Sequence, residues 1–251
     1  MTYLTSQSWL EFIQNIEQAK LDLGNPANLW YRGQGHSEHY LLPSLLRYEN
    51  GLEKEEFLFN RFKRFADKIF LSKESEWETL FDMQHYGIPT RLLDWTESFG
   101  IALFFAAFNK KTSSSSGSAA IYLLDPIALN RRIGHNKIIQ IPREEHSFPY
   151  SSAYWNQNHR VITAPAAIEP IFRNDRISAQ VGMFTVHHNN IEPIEAKFPE
   201  AIKKIVLEED ALPGAQEFLK LANINEYSIY PDLAGIANFL KNSAGLTFRN
   251  S

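Results

Sequence analysis

The chain has 251 residues, of which 44% are hydrophobic and 22% charged, a balance that excludes wholesale disorder. It contains no Cys, which excludes disulfides, thiolate metal sites and a Cys nucleophile. The net charge of −4 lacks the basic excess that duplex nucleic-acid binding usually needs. No apolar run approaches the roughly 20 residues that cross a bilayer, and Met1 to Leu10 lacks a signal-peptide pattern. We therefore expect a cytoplasmic globular protein with no membrane partner.

The first part of the chain is predicted to be mostly helical. Ser8-Trp9-Leu10-Glu11 has the pattern of a capping box and predicts the start of an amphipathic helix. Leu29 to Arg32 predicts a short strand that is broken at Gly33. Apolar periodicity predicts two further helices, Glu53–Leu71 and Ser75–His85.

A turn and a buried helix are predicted next. Gly87-Ile88-Pro89 predicts a turn, because proline cannot continue a helix and favours an extended preceding residue. A helix is expected after Asp94, with Asp94 or Thr96 as its N-cap. Its body, Ile101 to Phe108, is apolar on every side, which is typical of a helix buried all round. Ser113 to Ser118 predicts a surface loop.

The second half is predicted to be rich in strands, followed by two short helices at Gly214–Leu221 and Asp232–Lys241. No linker composition divides the chain. We therefore expect residues 1–251 to form a single α+β domain, with a helical N-terminal half packed on a mixed, mostly antiparallel sheet from the C-terminal half. The predicted strands are Ala120–Leu124, Lys137–Ile141, Ala167–Phe172, Gly182–Val186 and Lys203–Leu207.

Three motifs carry a resemblance to a known family. The first is Trp30-Tyr31-Arg32-Gly33-Gln34 with Leu42 to Arg47, and the second runs from Gln84 to Thr96 with Ser98. The third is Arg176 with Gln180-Val181-Gly182-Met183-Phe184, followed later by Pro231-Asp232-Leu233 and Gly235. Together they resemble the FRG domain family, named for an aromatic-Arg-Gly motif, across nearly the whole chain. The resemblance implies occurrence in bacteria and phages and a candidate toxin or defence protein, but it does not fix an activity.

The first motif suits recognition of an anion. A guanidinium fork at Arg32, held on a strand, matches the geometry of a phosphate or pyrophosphate. Gly33 would let a ligand approach the backbone closely, and Tyr31 and Gln34 stand beside the same position. The alternative is structural: Arg32 pairs with a buried carboxylate such as Asp94.

The second motif places polar residues immediately before an apolar helix. A helix N-terminus attracts anions, so His85, Arg91, Asp94, Thr96 and Ser98 are candidate ligand contacts. The alternative is that Asp94 and Thr96 cap the helix while Arg91 pairs with Asp94. Because dense buried polar groups need partners, we expect one cleft to be lined by Arg32, Gln84, His85, Arg91, Asp94 and Thr96.

The order of the motifs also resembles that of ADP-ribosyltransferase-like enzymes. The resemblance implies that Arg32 holds the pyrophosphate of NAD and that Thr96 or Ser98 supports the nicotinamide ribose. It further implies that Tyr31 and Tyr86 stack on the nicotinamide. The candidate catalytic residues are therefore Arg32, His85, Asp94, Thr96 and Gln180, and the candidate cofactor-binding residues are Tyr31, Arg32, Gly33, Gln34, Tyr86, Arg91 and Ser98.

The sequence departs from that pattern at one position. Such transferases have a late Glu that stabilises the developing cation, and Gln180 lacks the charge. Glu226, within Asn225 to Tyr230, locally resembles the catalytic-Glu strand of poly(ADP-ribose) polymerases, but at the wrong spacing.

Two other functions stay open. One is a nuclease or phosphodiesterase that uses His85 and Asp94, with His36 as a further candidate. The other is a non-catalytic module that binds a nucleotide through Arg32. No recognised metal-ligand spacing occurs in the sequence. The expected partner is a nucleotide ligand, and the sequence does not identify a macromolecular acceptor.

Overall fold

The computed structural model describes residues 2–66, 75–107, 117–141, 149–155, 164–170 and 178–246. Within these ranges the α-helices are α1 Gln7–Asp22, α2 Gly51–Ala66, α3 Glu76–His85, α4 Phe99–Ala107, α5 Pro126–Arg131, α6 Tyr150–Tyr154, α7 Ile194–Lys197, α8 Leu212–Leu221, α9 Glu226–Ile229 and α10 Leu233–Ser243. The strands are β1 Trp30–Gln34, β2 Leu92–Thr96, β3 Ala119–Leu124, β4 Ile139–Gln140, β5 Ala166–Glu169, β6 Gly182–Val186 and β7 Ile202–Leu207. The predicted α+β class is confirmed. Among the described helices, none has the length and apolar character needed to cross a membrane.

The strands form one sheet in the order β4-β5-β6-β2-β1-β3-β7. The β4–β5 pair is parallel and the other described pairs are antiparallel, which confirms the predicted mixed, mostly antiparallel sheet. The two central strands, β1 and β2, come from the first hundred residues of the chain, and the flanking strands come from residue 119 onwards.

Helix starts were predicted with mixed success. The helix α1 begins two residues earlier than expected, because the Ser6 side chain accepts the Trp9 amide at 3.4 Å. Ser8 is not the cap: its hydroxyl donates to the Asp210 carbonyl at 3.0 Å. The prediction for α3 is confirmed, since Ser75 and Glu78 form a reciprocal capping box.

Strand β2 was not predicted, and the expected helix cap at Asp94 or Thr96 is wrong. Residues 92–96 are extended and pair with β6, from Leu92 opposite Val186 to Thr96 opposite Gly182. The helix α4 starts later, where the Ser98 hydroxyl accepts the Ile101 amide at 3.4 Å. The polar cluster was mistaken for a helix start because the partner strand of β2 lies about ninety residues away in sequence.

The two faces of the sheet are covered differently. One face carries a core that crosses the central strands, with Trp30 from β1 and Trp95 from β2. The opposite face carries two separate cores, one built on α1, α4 and β3 and the other on α2, α3, β5 and β6. Strands β1 and β2 separate these two cores and are paired at one position, Tyr31 opposite Thr96. The sheet is therefore open along much of the boundary between them.

The second half largely follows the prediction. Strands β3, β5, β6 and β7 and helices α8 and α10 overlap their predicted ranges, and β4 is shorter than expected. Helices α5, α6, α7 and α9 were not predicted. Residues 67–71, 108, 113–116, 171–172 and 176 of the predicted elements lie outside the described residues. The single domain over residues 1–251 stays a prediction.

Candidate functional site

A cleft lies at the boundary where β1 and β2 diverge. Its volume is about 250 Å³. Helix α3 lines the cleft on one side and helix α4 lines it on the other. The cleft therefore lies at the junction of the two cores on this face of the sheet. Its lining residues are Tyr31, Arg32, Gly33, Phe81, Gln84, His85, Asp94, Trp95, Thr96, Ile101, Phe105, Gln180, Gly182, Met183 and Phe184. The polar part of this lining combines a guanidinium, a carboxylate, an imidazole and two amides.

The Arg32 side chain lines the cleft at the boundary between β1 and β2. It shares a strand face with Trp30, on the far side of the sheet, yet its Nη1 donates to the Asp94 carbonyl at 2.7 Å. The same Nη1 lies 3.6 Å from the Asp94 carboxylate. Burial lowers the pKa of Arg32; the charge of Asp94 opposes this shift and Arg47 adds to it. The guanidinium is thus held at the cleft in a partly desolvated environment, where it interacts strongly with anions.

A short hydrogen-bond relay orients the Asp94 carboxylate. Gln84 donates to Asp94 Oδ2 at 2.9 Å, and the Thr90 hydroxyl donates to Gln84 Oε1 at 2.5 Å. Thr90 in turn accepts the Leu92 amide at 3.0 Å. Gln84 therefore fixes the orientation of the Asp94 carboxylate. The Asp94 side chain is 53% exposed and lines the cleft.

Gly33 is required by the packing of α4 against β1. A Cβ at Gly33 would lie 1.8 Å from the Ala102 carbonyl oxygen. The Arg-Gly pair therefore has two roles in the fold: the glycine brings α4 against β1, and the arginine points into the cleft that this contact creates.

Thr96 lines the cleft, but its hydroxyl already has protein partners. It donates to the Gln180 carbonyl at 2.7 Å and accepts the Ser98 amide at 3.1 Å. These bonds join the end of β2, the start of α4 and the segment before β6. Ser98 is the cap of α4 and does not line the cleft.

Gln180 lines the cleft from the segment before β6. Its amide donates to the Ile229 carbonyl at 3.2 Å, which connects this segment to α9. Glu226 is in that helix and not in a strand; it is buried and accepts from Asn242. The local likeness of residues 225–230 to a catalytic-Glu strand is therefore a coincidence, as the spacing indicated, because Asn225 caps a helical turn here.

The aromatic and histidine candidates are divided. Tyr31 and His85 line the cleft. Tyr86 is largely exposed and lies outside the lining, although its ring contacts His85 at 4.7 Å between centroids. Gln34 is also outside the lining: it is buried on the far face of the sheet. The pattern of alternating faces along β1 explains this, since Tyr31 and Gly33 face α4 while Trp30 and Gln34 point away.

Arg91 does not line the cleft, and its expected pairing with Asp94 is wrong. Its Nε and Nη2 donate to the Glu55 carboxylate at 2.6–2.8 Å, and its Nη1 donates to Asn189 at 2.7 Å. Glu55 also accepts from Tyr150 and Trp155. Burial lowers the pKa of Arg91, but the hydrogen bonds to Glu55 together with the charges of Tyr150, Glu55 and Tyr154 outweigh burial, and the pKa is raised. Arg91 is a buried structural residue.

Comparison with known proteins identifies one part of the chain. Residues 27–115 match the model of the FRG domain family. This stretch is an FRG domain. No curated protein and no solved structure matches the chain.

The FRG domain supplies most of the cleft, and the rest comes from beyond it. Strands β1 and β2 and helices α3 and α4 lie within residues 27–115. Gln180, Gly182, Met183 and Phe184 come from later in the chain and close the opposite side. The site is therefore completed by strand β6, which pairs with β2 of the FRG domain.

The sequence analysis did not identify the apolar residues that line the cleft. Phe81, Phe105 and Phe184 line it, together with Trp95 and Ile101. Each was visible as part of an apolar pattern, but a buried core residue and a cleft-wall residue have the same signature in sequence. Glu55, the partner of Arg91, was also missed, since it is one of many acidic residues on a predicted amphipathic helix.

A metal site is not evident in the part of the chain that the structure describes. No group of three or more His, Asp or Glu side chains there has the geometry to hold an ion. His36 and His39 approach each other, with ring centroids 4.9 Å apart, but they lie outside the lining of the FRG cleft.

Proposed function

We propose that the cleft binds a nucleotide, with NAD or an ADP-ribose-like molecule as its ligand. One observation carries the proposal: Arg32 on β1, Thr96 on β2 and Gln180 before β6 surround a single cavity. Their order along the chain is the order in which ADP-ribosyltransferase-like enzymes place their NAD-contacting residues. The three positions are separated by 64 and 84 residues in sequence, so their convergence does not follow from local structure.

The phosphates of the ligand lie against Arg32. The Arg32 side chain is 20% exposed, and its Nη1 is bonded to the Asp94 carbonyl. Nη2 is therefore the nitrogen that donates to a phosphate oxygen of the ligand. Arg47 is close enough to lower the pKa of Arg32 and is itself exposed. Arg32 in the cleft lining, with the positive charge of Arg47 nearby, favours a pyrophosphate over an uncharged sugar.

The ring and ribose of the ligand lie against the apolar wall. Aromatic side chains such as Phe81, Phe105 and Phe184 offer faces and edges for a planar ring. The cleft volume of about 250 Å³ is below the 300–1,000 Å³ of typical ligand pockets. One ring with its ribose therefore occupies the cleft, and the phosphates and the second nucleoside extend past Arg32 to the surface.

Asp94 is the residue that would support chemistry in this site. NAD supplies a labile C–N bond between its ribose and nicotinamide, and cleavage of that bond develops positive charge on the ribose. Among the described lining residues, Asp94 is the one acidic side chain. A carboxylate fixed by Gln84 can stabilise that charge without reorganising, a role that the neutral Gln180 cannot fill.

A non-catalytic nucleotide-binding module is the second candidate. The observation that favours it is the state of Thr96 and Gln180, whose polar side chains are both bonded to backbone carbonyls. Such groups shape the cleft but do not readily turn to a substrate. Such a module would bind the same nucleotide as the proposed enzyme but would not cleave it.

Calorimetric titration with NAD, ADP-ribose, ATP and AMP tests the proposal. We expect NAD or ADP-ribose to bind more tightly than AMP, because the second phosphate reaches the two arginines. Arg32→Ala should weaken binding about tenfold to a hundredfold, the worth of a charge-assisted contact to a phosphate. Arg32→Lys should recover little, since an ammonium lacks the planar fork.

The control variant is Arg61→Ala, which removes an exposed arginine on α2 that stacks between Phe57 and Phe65, away from the cleft. Its affinity should equal that of the parent protein. Release of nicotinamide from NAD that is lost in Asp94→Asn would identify an enzyme, and binding without release would identify a module. The absence of affinity for all four nucleotides, with or without divalent cations, would contradict the proposal. Hydrolysis of a phosphodiester that depends on His85 would then favour the nuclease.

A further inference from the structure

The far side of Arg32 contains buried polar atoms that have no protein partner. Within the described residues these include Trp30 Nε1, Arg32 Nε and Gln34 Oε1. Trp30 is 0% exposed and Gln34 is 9% exposed. Buried polar groups are almost always hydrogen-bonded, and leaving them unpaired is costly. Three such atoms at alternate positions of one strand therefore indicate partners other than protein groups.

The geometry of β1 places these atoms along one face. Residues 30, 32 and 34 alternate with Tyr31 and Gly33, so their side chains point to the same side of the sheet. Side chains two residues apart on a strand stand roughly 6–7 Å from one another. That spacing is too long for a direct hydrogen bond between neighbouring positions. The long side chains of Arg32 and Gln34 can bring their polar ends within the at most about 5.6 Å that two bonds of about 2.8 Å through one intervening molecule span.

The surroundings fit a water molecule in particular. Arg32 Nε is a donor and Gln34 Oε1 is an acceptor, which supply the minimum of two polar partners that a buried water needs. Tyr122 lies opposite Arg32 on β3, and its hydroxyl donates to the His39 carbonyl at 3.2 Å, which leaves its oxygen as a further acceptor. Glu195 Oε2 is also buried without a partner, and the charge of Glu195 contributes to raising the pKa of Tyr122.

We propose that ordered water binds behind β1 and bridges Arg32 Nε to Gln34 Oε1, so that Gln34 is a positioning residue for the guanidinium at the cleft. Arg32 is then held at two ends: Nη1 bonds the Asp94 carbonyl on the cleft side, and Nε bonds the bridging water on the far side. This gives a physical reason for glutamine directly after the Arg-Gly pair. The hydration is independent of the proposed function, and only its effect on ligand affinity rests on that function.

Nuclear magnetic resonance of the Arg32 Nε–H group tests the bridge without any ligand. In the parent protein we expect a cross-peak between this proton and a long-lived water. Gln34→Leu should remove the cross-peak, because leucine has no acceptor. Gln34→Glu should restore it, since a carboxylate oxygen replaces the amide oxygen at the same reach. Gln18→Leu, at an exposed position on α1, should leave the signal unchanged.

Ligand affinity gives the second readout. Gln34→Leu should weaken nucleotide binding about threefold to tenfold, and Gln34→Glu should return it to near the parent value. If the parent binds no nucleotide, the proposed function fails while the cross-peak still decides the bridge. A parent Nε–H with no water cross-peak, or one unaffected by Gln34→Leu, would overturn the inference. If Gln34→Leu does not fold, a high-resolution crystal structure of the parent decides: water within hydrogen-bond distance of both atoms supports the bridge, and its absence rejects it.

Discussion

Two arginine–carboxylate pairs in this protein have opposite characters. Arg91 and Glu55 each have side chains that are 3% exposed and are joined by bonds of 2.6–2.8 Å. Arg32 and Asp94 are 20% and 53% exposed, and their closest charged atoms are 3.6 Å apart. The first pair has every charged group satisfied by protein. The second leaves a carboxylate and part of a guanidinium facing a cleft, which suits ligand binding better than stability.

The largest expected loss of stability comes from breaking the buried pair of Arg91 and Glu55. Arg91→Met should lower the free energy of unfolding by about 3–5 kcal/mol, because it leaves the Glu55 charge buried without its partner. Arg32→Met should cost about 1 kcal/mol, since Asp94 stays solvated. Urea unfolding of both variants measures the difference. Adding Glu55→Leu to Arg91→Met should recover much of the loss, and equal losses for the two arginine variants would contradict the comparison.

The next largest loss of stability is expected at Gly33, where α4 packs against β1 beside Arg32. Gly33→Ala would place a Cβ 1.8 Å from the Ala102 carbonyl oxygen, so β1 or α4 must move. Overpacking of this kind costs roughly 1–3 kcal/mol or more. Gly35→Ala is the matched control, because the nearest atom to its Cβ is 4.0 Å away. Thermal unfolding should show a lower Tm for the first variant alone, and a Gly33→Ala protein as stable as the parent would show that α4 is not tightly held.

The smallest expected effect on stability concerns His187, which contacts the Arg91 backbone and is influenced by the charge of Arg32. The amide of His187 donates to the Arg91 carbonyl at 3.0 Å. Burial, with a smaller contribution from the charge of Arg32, lowers the pKa of His187 to about 3. Above about pH 6.5 the imidazole is neutral in both folded and unfolded chains. Below it the unfolded chain binds a proton that the folded chain does not, so His187 should lower stability as the pH falls towards 3.

Urea unfolding between pH 7 and pH 5 measures this effect as a difference from His187→Gln. The parent should lose up to about 1.4 kcal/mol per pH unit more than the variant below pH 6.5. Comparing the two proteins cancels the titration of the other groups. His135→Gln, at an exposed position, should retain the steep dependence of the parent. A His187→Gln protein with the same dependence as the parent would contradict the buried neutral imidazole.

Local patterns predicted what depends on local structure. The amphipathic helices, the apolar α4 and strand β6 follow from periodicity and turn residues, and their bounds are close to the expected ones. The convergence of Arg32, Gln84, His85, Asp94 and Thr96 on one cleft also agrees with expectation. Polar residues grouped beside apolar segments must meet partners, and this argument does not need the topology.

The predictions that were wrong share a physical cause: each depends on contacts or strand geometry that local sequence does not reveal. Strand β2 exists because β6 lies beside it, and nothing within residues 92–96 distinguishes a strand from a capped helix start. Arg91 was assigned to Asp94 because they are three residues apart, yet extended backbone points them to opposite sides of their strand region, and the true partner Glu55 lies on α2. Gln34 was assigned to the ligand because it follows Gly33, but alternation along β1 turns it away.

The arrangement of strands has a consequence for the stretch that defines the family. Residues 27–115 contain β1 and β2 but neither β3 nor β6, their main hydrogen-bonding neighbours. Expressed without the later strands, that stretch would present two rows of open backbone donors and acceptors, which are templates for aggregation. The boundaries of the recurring sequence pattern are therefore not the boundaries of a self-sufficient folding unit.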